Sequence, residues 1–168
     1  MGNIYFEKVS EKQFIEDYRK CFGNAYTDEE LKKIYANIKL PKRGSSGAAG
    51  YDFYSTINFL LDNKNNVVTI PTGIRAVMPN DLYLQIVPRS SVGFKTGTSL
   101  VNSVAIIDAD YQMSPNEGHI MLKFRHGFKD LLIEEGDRIA QGIFLKYFIT
   151  DNDDIRVVRQ GGLGSTGV

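Results

Sequence analysis

The chain has 168 residues, and its 20 Lys and Arg balance 20 Asp and Glu to a formal net charge of zero. That length suits one domain with a real core, and the charge balance removes the electrostatic reason for a nucleic-acid or membrane partner, so any anion site must be local. One cysteine, Cys21, excludes an internal disulfide, and with only His119 and His126 besides, the ligands for a protein-built transition-metal cage are too few.

No apolar run approaches the roughly 20 residues that span a bilayer, and no signal-peptide pattern opens the chain, so the expected location is cytoplasmic. The Met-Gly start is not a myristoylation signal, because Phe6 stands where that signal wants Ser or Thr. Residues 4–9 (IYFEKV) alternate as a short strand. Over residues 11–22, Phe14, Ile15, Tyr18, Cys21 and Phe22 recur at helical spacing. Thr27 reads as an N-cap ahead of Asp28, Glu29 and Glu30, with Leu31, Ile34, Tyr35 and Ile38 forming an apolar stripe. The spacing therefore predicts two short helices over residues 10–39.

From Leu40 onward the texture changes. Alternating segments at 51–55, 67–70, 82–87, 120–124, 139–148 and 155–158 are separated by Gly, Pro, Asn and Asp clusters. Turn signals stand at 62–66 (DNKNN) and 134–137 (EEGD). Frequent short strands predict a mainly β fold, a sandwich, jelly roll or barrel, with no helix after residue 40.

Several segments carry chemistry. SSGAAGYDF at 45–53 puts small residues before a strand bearing Asp52, whose carboxylate can orient a metal-bound water or an arginine. PRSSVGF at 88–94 follows a β-run with a fork of donors from Arg89, Ser90 and Ser91; a surface turn with a salt-bridged arginine fits the same residues. In NSVAIIDADY at 102–111, period two puts Asp108 and Asp110 on one strand face, with Tyr111 beside them. Such a pair can supply a general base, hold an arginine or cap a turn. GDRIAQG at 136–142 places Gln141 near a sheet end and offers Arg138 to an aspartate. At 159–168, RQGGLGSTGV combines Arg159, glycines at 161, 162, 164 and 167, and the hydroxyls of Ser165 and Thr166. That composition cradles phosphate through a backbone nest and a cation, and equally describes a frayed tail.

Taken in order, AAGYDF, PRSSVGF, NSVAIIDADYQ, GDRIAQGIF and RQGGLGSTG resemble the five signatures of the trimeric dUTPase family, over residues 40–168. The segment PNEGHI at 115–120 is similar to the longer hairpin of some bacterial and phage members. The resemblance implies a distorted jelly-roll or β-barrel, with the helical pair 10–39 as an insertion and 159–168 as a lid arm in one domain. It also implies a homotrimer with shared sites that hydrolyses dUTP to dUMP and pyrophosphate, with Mg²⁺ chelated by the triphosphate rather than by side chains.

Residue by residue, Asp108 matches the general base, and Asp52 and Gln141 match groups that support the reacting phosphates. Arg89, Ser90 and Ser91 match the phosphate loop. Asn102, Ala105, Ile106 and Ile107 lie in the hairpin that pairs with the uracil edge. Tyr111 matches the residue that packs on deoxyribose. Arg159, Gly162, Leu163, Gly164, Ser165 and Thr166 match the lid, often donated by another subunit, while Asp110 and Arg138 read as structural.

The resemblance leaves room for a dCTP deaminase, for which Glu117 is the nearest acid, and for a nucleotide-switched regulatory protein with a repressor-type protein partner. Three departures stand out: Ser91 and Ala105 where glycine is usual, and Leu163 where a phenylalanine usually stacks on uracil. Aromatic stacking on a base contributes about 1–3 kcal/mol. Leu163→Phe is therefore expected to lower KM for the nucleotide, and steady-state kinetics of the variant identical to the natural chain would overturn the stacking account.

Overall fold

A computed structural model of the chain describes residues 2–155. It opens with β1 (Tyr5–Lys8), followed by two helices, α1 (Glu11–Phe22) and α2 (Asp28–Asn37). Their starts are fixed by side chains, at Thr27 as the sequence anticipates and at Ser10 as it does not. Ser10 Oγ accepts from the Gln13 N–H, and Thr27 forms a reciprocal capping box with Glu30. An ion pair between Arg19 and Asp28 links the helices across their connection. α1 packs on α2 and on the strand β5 (Val67–Pro71), burying Phe14 and Tyr18 in a ring cluster with Phe22, Tyr26 and Tyr35.

Between α2 and β5 lie β2 (Lys42–Arg43), β3 (Tyr51–Tyr54) and β4 (Phe59–Leu61). After β5 come β6 (Ile74–Val77), β7 (Leu82–Pro88), a helix α3 (Ser90–Thr96), β8 (Ser99–Leu100) and β9 (Ala105–Asp108). A 3₁₀ turn over Ala109–Met113 leads to β10 (Met121–Arg125), β11 (Leu131–Ile133) and β12 (Arg138–Lys146). Every pairing is antiparallel, in four sheets: β2-β3-β12-β7-β9, β5-β10-β8, β11-β4 and β1-β6. Their inner faces close on one core that includes Phe53, Leu84, Ile86, Ile70, Leu122 and Phe124. The jelly-roll-like expectation is met, with the helical pair laid against one side.

Both turn readings hold. Asp62 Oδ1 accepts from the N–H groups of Lys64 and Asn65, and Gly136 takes a positive φ between β11 and β12. Two expectations fail. The chain after residue 40 is not free of helix: in PRSSVGF, Pro88 ends β7, Arg89 is the N-cap, and Ser90 begins the seven-residue helix α3. It escapes a periodicity search because it is under two turns long and holds Gly93 at its centre. Its C-terminus is fixed by Gly97 in the left-handed region, a site where a Cβ would strike the Phe128 ring. Ile155 lies in no strand, and residues 156–158 fall outside those described. The unheralded strands β2, β4, β8 and β11 have only two or three residues each, too short to alternate legibly, and β6, with four, also went unread.

One buried hydrogen-bonded pair, a carboxylate and an imidazole, ties the helices to the sheets. Asp17 on α1 is 5 % exposed and accepts from Gln13 Nε2 and Lys20 Nζ, while its Oδ2 lies 2.8 Å from Nδ1 of the fully buried His119. The other ring nitrogen, Nε2, accepts from the Gly73 N–H at 2.8 Å, which places the imidazole proton on Nδ1 and directs it to Asp17. Burial pushes the Asp17 carboxyl up, but the bonds from His119, Lys20 and Gln13 outweigh it and hold the group well below the usual carboxylate range. A carboxyl lowered on folding stabilises the fold above its unfolded value, about 4, and that contribution is lost as pH falls through the lower folded value. The melting midpoint is therefore expected to fall below pH 4 with a slope that Asp17→Asn flattens. A titration of melting temperature in which both chains fall in parallel would refute this.

Candidate active site

The central strands place the signature residues in two groups. β12 lies between β3 and β7, and its register sets Gln141 opposite Asp52 on one side and Val87 on the other. Gly50 allows this closeness, because a Cβ there would lie 2.8 Å from Gln141 Oε1. The loop that precedes β3 is pinned by Arg43 Nη1, which donates to the carbonyls of Ser46 and Ala48. At the end of β7, Arg89 donates its backbone N–H to Ile139 and lies in an ion pair with Asp52, Nε to Oδ1 at 3.1 Å. Arg138 reaches the other oxygen of Asp52 at 3.3 Å. One carboxylate thus orients two guanidiniums.

Ser90 and Ser91 open α3 beside them, exposed, where first-turn N–H groups lack acceptors within the helix. Arg89, Lys95 and Arg138 then line a hollow of about 310 Å³ that also holds Ser91 and Asp137. Two arginines against one buried aspartate, with a lysine and hydroxyls at the rim, form a local cationic surface suited to phosphate oxygens. The sequence pairing of Arg138 with an aspartate holds; Arg89 as a second partner of the same carboxylate was not foreseen.

The second group lies at the other end of β7. There β9 pairs with it, Asp108 opposite Tyr83 and Ile106 opposite Gln85. Along β9 Ala105 and Ile107 point inward, while Ile106, 52 % exposed, and Asp108 share the outer face. This corrects the sequence reading. The neighbour of Asp108 on its face is Ile106, because the strand ends at Asp108 and Asp110 enters the 3₁₀ turn. The turn before β9 holds Asn102 exposed, with Ser103 at φ 62° and Val104 N–H bonded to the Asn102 carbonyl. Tyr111 is 5 % exposed, and its hydroxyl donates to the His119 carbonyl at 2.9 Å.

Asp108 and Ile106 open on a cleft of about 690 Å³ whose walls include Tyr83 and Tyr147. The two rings meet edge-on at 6.3 Å, and Tyr147 donates its hydroxyl to the Asn80 carbonyl. Sequence reasoning missed these aromatics. Only the outward position of Tyr83 in the period-two pattern of β7 could have marked one of them. Arg159, Gly162, Leu163, Gly164, Ser165 and Thr166 lie outside the described residues.

Glu117 has a different task from proton handling on a base. Its carboxylate accepts from the Ser10 N–H and hydroxyl, both at 2.7 Å. The Ser10 N–H leads the causes that hold this carboxyl below its ordinary range. Among the described residues no three His, Cys, Asp or Glu side chains come together as a metal site, and no helix is long and apolar enough to cross a membrane.

An antiparallel β-fold with a cationic hollow beside α3 and a carboxylate above an aromatic cleft suits an anionic ligand that carries a ring. The dUTPase family model matches residues 36–167, and the chain belongs to that family. It is 40 % identical over 139 residues to the deoxyuridine 5′-triphosphate nucleotidohydrolase of Lactococcus lactis, covering 79 % of this chain and 90 % of that protein. The crystal structure of dUTPase from Streptococcus mutans superposes with a TM-score of 0.62 at 33 % identity, over 88 % of this chain and 98 % of that one. The dUTPase of Staphylococcus bacteriophage 80alpha shares the fold, with a TM-score of 0.64 at 16 % identity over 94 % of this chain and 98 % of that one.

Proposed function

We propose that the chain hydrolyses dUTP to dUMP and pyrophosphate as a homotrimer whose sites are each assembled from more than one copy. The separation of the two residue groups along β7 carries this reading. Tyr83 pairs with Asp108, and Arg89 follows the strand six residues later, so the groups stand roughly 20 Å apart in one chain. A general base must lie within a hydrogen bond, or one water, of the atom it serves. Asp108 of one copy therefore works on a phosphate held by Arg89, Ser90, Ser91 and Gln141 of another.

In the assembled site, Asp108 takes a proton from the water that attacks the α-phosphorus. A new P–O bond forms there as the α–β bridging bond breaks, and pyrophosphate leaves with its charge neutralised by Arg89 and the serines that open α3. Asp52 keeps Arg89 aimed, and Gln141 supplies amide donors. The main chain from Asn102 to Ile107 meets the uracil edge, and Tyr111 packs against deoxyribose where a 2′-hydroxyl has no room.

The donor set bears on the metal. The Asp52 carboxylate is occupied by two arginines, so the site offers Mg²⁺ too few protein oxygens to cage it. The ion fits as a passenger on the triphosphate oxygens, where it supplies charge neutralisation. Arg159, Gly162, Leu163, Gly164, Ser165 and Thr166, which lie outside the described residues, would add the nucleotide contacts that the family resemblance implies.

The test is pyrophosphate release from dUTP, dCTP, dTTP and UTP with Mg²⁺. Release from dUTP alone supports the reading. Ammonia from dCTP would move the chain to the deaminases, and tight dUTP binding without turnover would leave a nucleotide-switched regulator.

A further inference from the structure

The helical pair 10–39 covers buried apolar surface, but covering does not require a buried carboxylate hydrogen-bonded to a buried imidazole. We propose that these helices, through Asp17 and His119, support Tyr111, and that Asp17 and His119 are positioning residues that set how strictly the site refuses a ribonucleotide. The proposal rests on Tyr111 as the deoxyribose platform.

The contacts run without a break from α1 to that ring. Tyr111 Oη donates to the His119 carbonyl at 2.9 Å and accepts from Asn116 Nδ2 at 2.9 Å. The tilt of the ring therefore follows the position of His119. His119 in turn is gripped on both ring nitrogens, by the Gly73 N–H and by Asp17 Oδ2, each at 2.8 Å. The imidazole is fully buried, and Asp17 is fixed by Gln13 and Lys20 on its own helix.

The segment between Tyr111 and His119 is itself under tension. Glu117 takes φ 58° and Gly118 φ 73°, and a Cβ on Gly118 would lie 2.7 Å from Gln112 Cα, so the segment folds tightly onto the backbone beside Tyr111. A non-glycine residue holds a positive φ only where its surroundings over-determine it. At Glu117 those surroundings are the two bonds from Ser10, the N-cap of α1. α1 thus holds the segment at Ser10 and at Asp17, about 10 Å apart along the helix. A buried hydrogen-bonded polar pair fixes geometry, because either group left unpaired in the core costs its full desolvation. Here the geometry it determines is that of the residue beneath the sugar.

The test compares kcat/KM for dUTP and UTP in the natural chain, Asp17→Ala and Asp17→Asn, each assayed below its melting midpoint. In Asp17→Ala the dUTP/UTP ratio is expected to fall about tenfold, through a raised KM for dUTP and gained UTP turnover, with kcat for dUTP within about twofold. Asp17→Asn, whose amide oxygen can still accept from His119 Nδ1–H, retains most of the ratio. A purely structural loss would scale both substrates alike, so an unchanged ratio in folded Asp17→Ala overturns the proposal. Should that variant not fold, Ser10→Ala removes the hydroxyl bond to Glu117 while the backbone N–H bond stays, and is expected to lower the ratio about threefold; no change there overturns the proposal equally. A natural chain without dUTP turnover fails in the first arm and overturns the underlying reading before the variants are compared.

Discussion

Asp108→Asn is expected to reduce pyrophosphate release from dUTP by about 10²–10⁴-fold while nucleotide binding persists, the range that a positioned general base supplies. The substitution is nearly isosteric, and Asp108 lies exposed on the outer face of β9, so the ladder to Tyr83 and the fold should survive it. What is lost is the carboxylate that takes the proton from water; an amide oxygen accepts a hydrogen bond but does not hold the proton. The check pairs initial rates with calorimetric titration of a non-hydrolysable dUTP analogue. Retention of more than about a tenth of the rate would remove Asp108 as the base and leave the cleft as a binding surface.

The second large effect concerns assembly. Arg89→Ala alone is expected to abolish turnover, because it strips the phosphate surface of its best-oriented cation and leaves Asp52 facing Arg138 only. Mixed with Asp108→Asn and allowed to exchange subunits, it should regain activity. Some sites then combine an intact Asp108 from one copy with an intact Arg89 from another, about a quarter of all sites for random trimers. A mixture as inactive as its components after full exchange would show that both residues act within one chain, against the separation along β7. Melting curves for both variants guard against a trivial loss of fold, with the greater risk at Arg89, whose partner Asp52 is buried.

Much of this was legible in the residues. The helices announced themselves by their stripes and, for α2, by its cap Thr27; the cap of α1, Ser10, was not read from the sequence. The longer strands β7, β10 and β12 alternate clearly. The short ones do not, because two or three residues cannot show a period. α3 hid behind serines and a glycine that read as loop. The error at Asp110 came from extending period two past the point where the chain turns, and no local signal marks that end. The candidate site segments could be picked out by their residue types, but their division between the two ends of β7 depends on strand order, which spacing does not encode. Least legible was the Asp17–His119 pair, since the two residues are 102 positions apart and each looks ordinary alone.

The span of β7 also bears on inheritance. A copy damaged at both ends of that strand fails as a donor of the base to one neighbour and as a holder of phosphate for the other. Within a trimer of the proposed kind it spoils two sites of three rather than one. Alleles carrying both lesions should therefore act dominantly over a healthy gene in the same cell, whereas lesions at either end alone should complement one another.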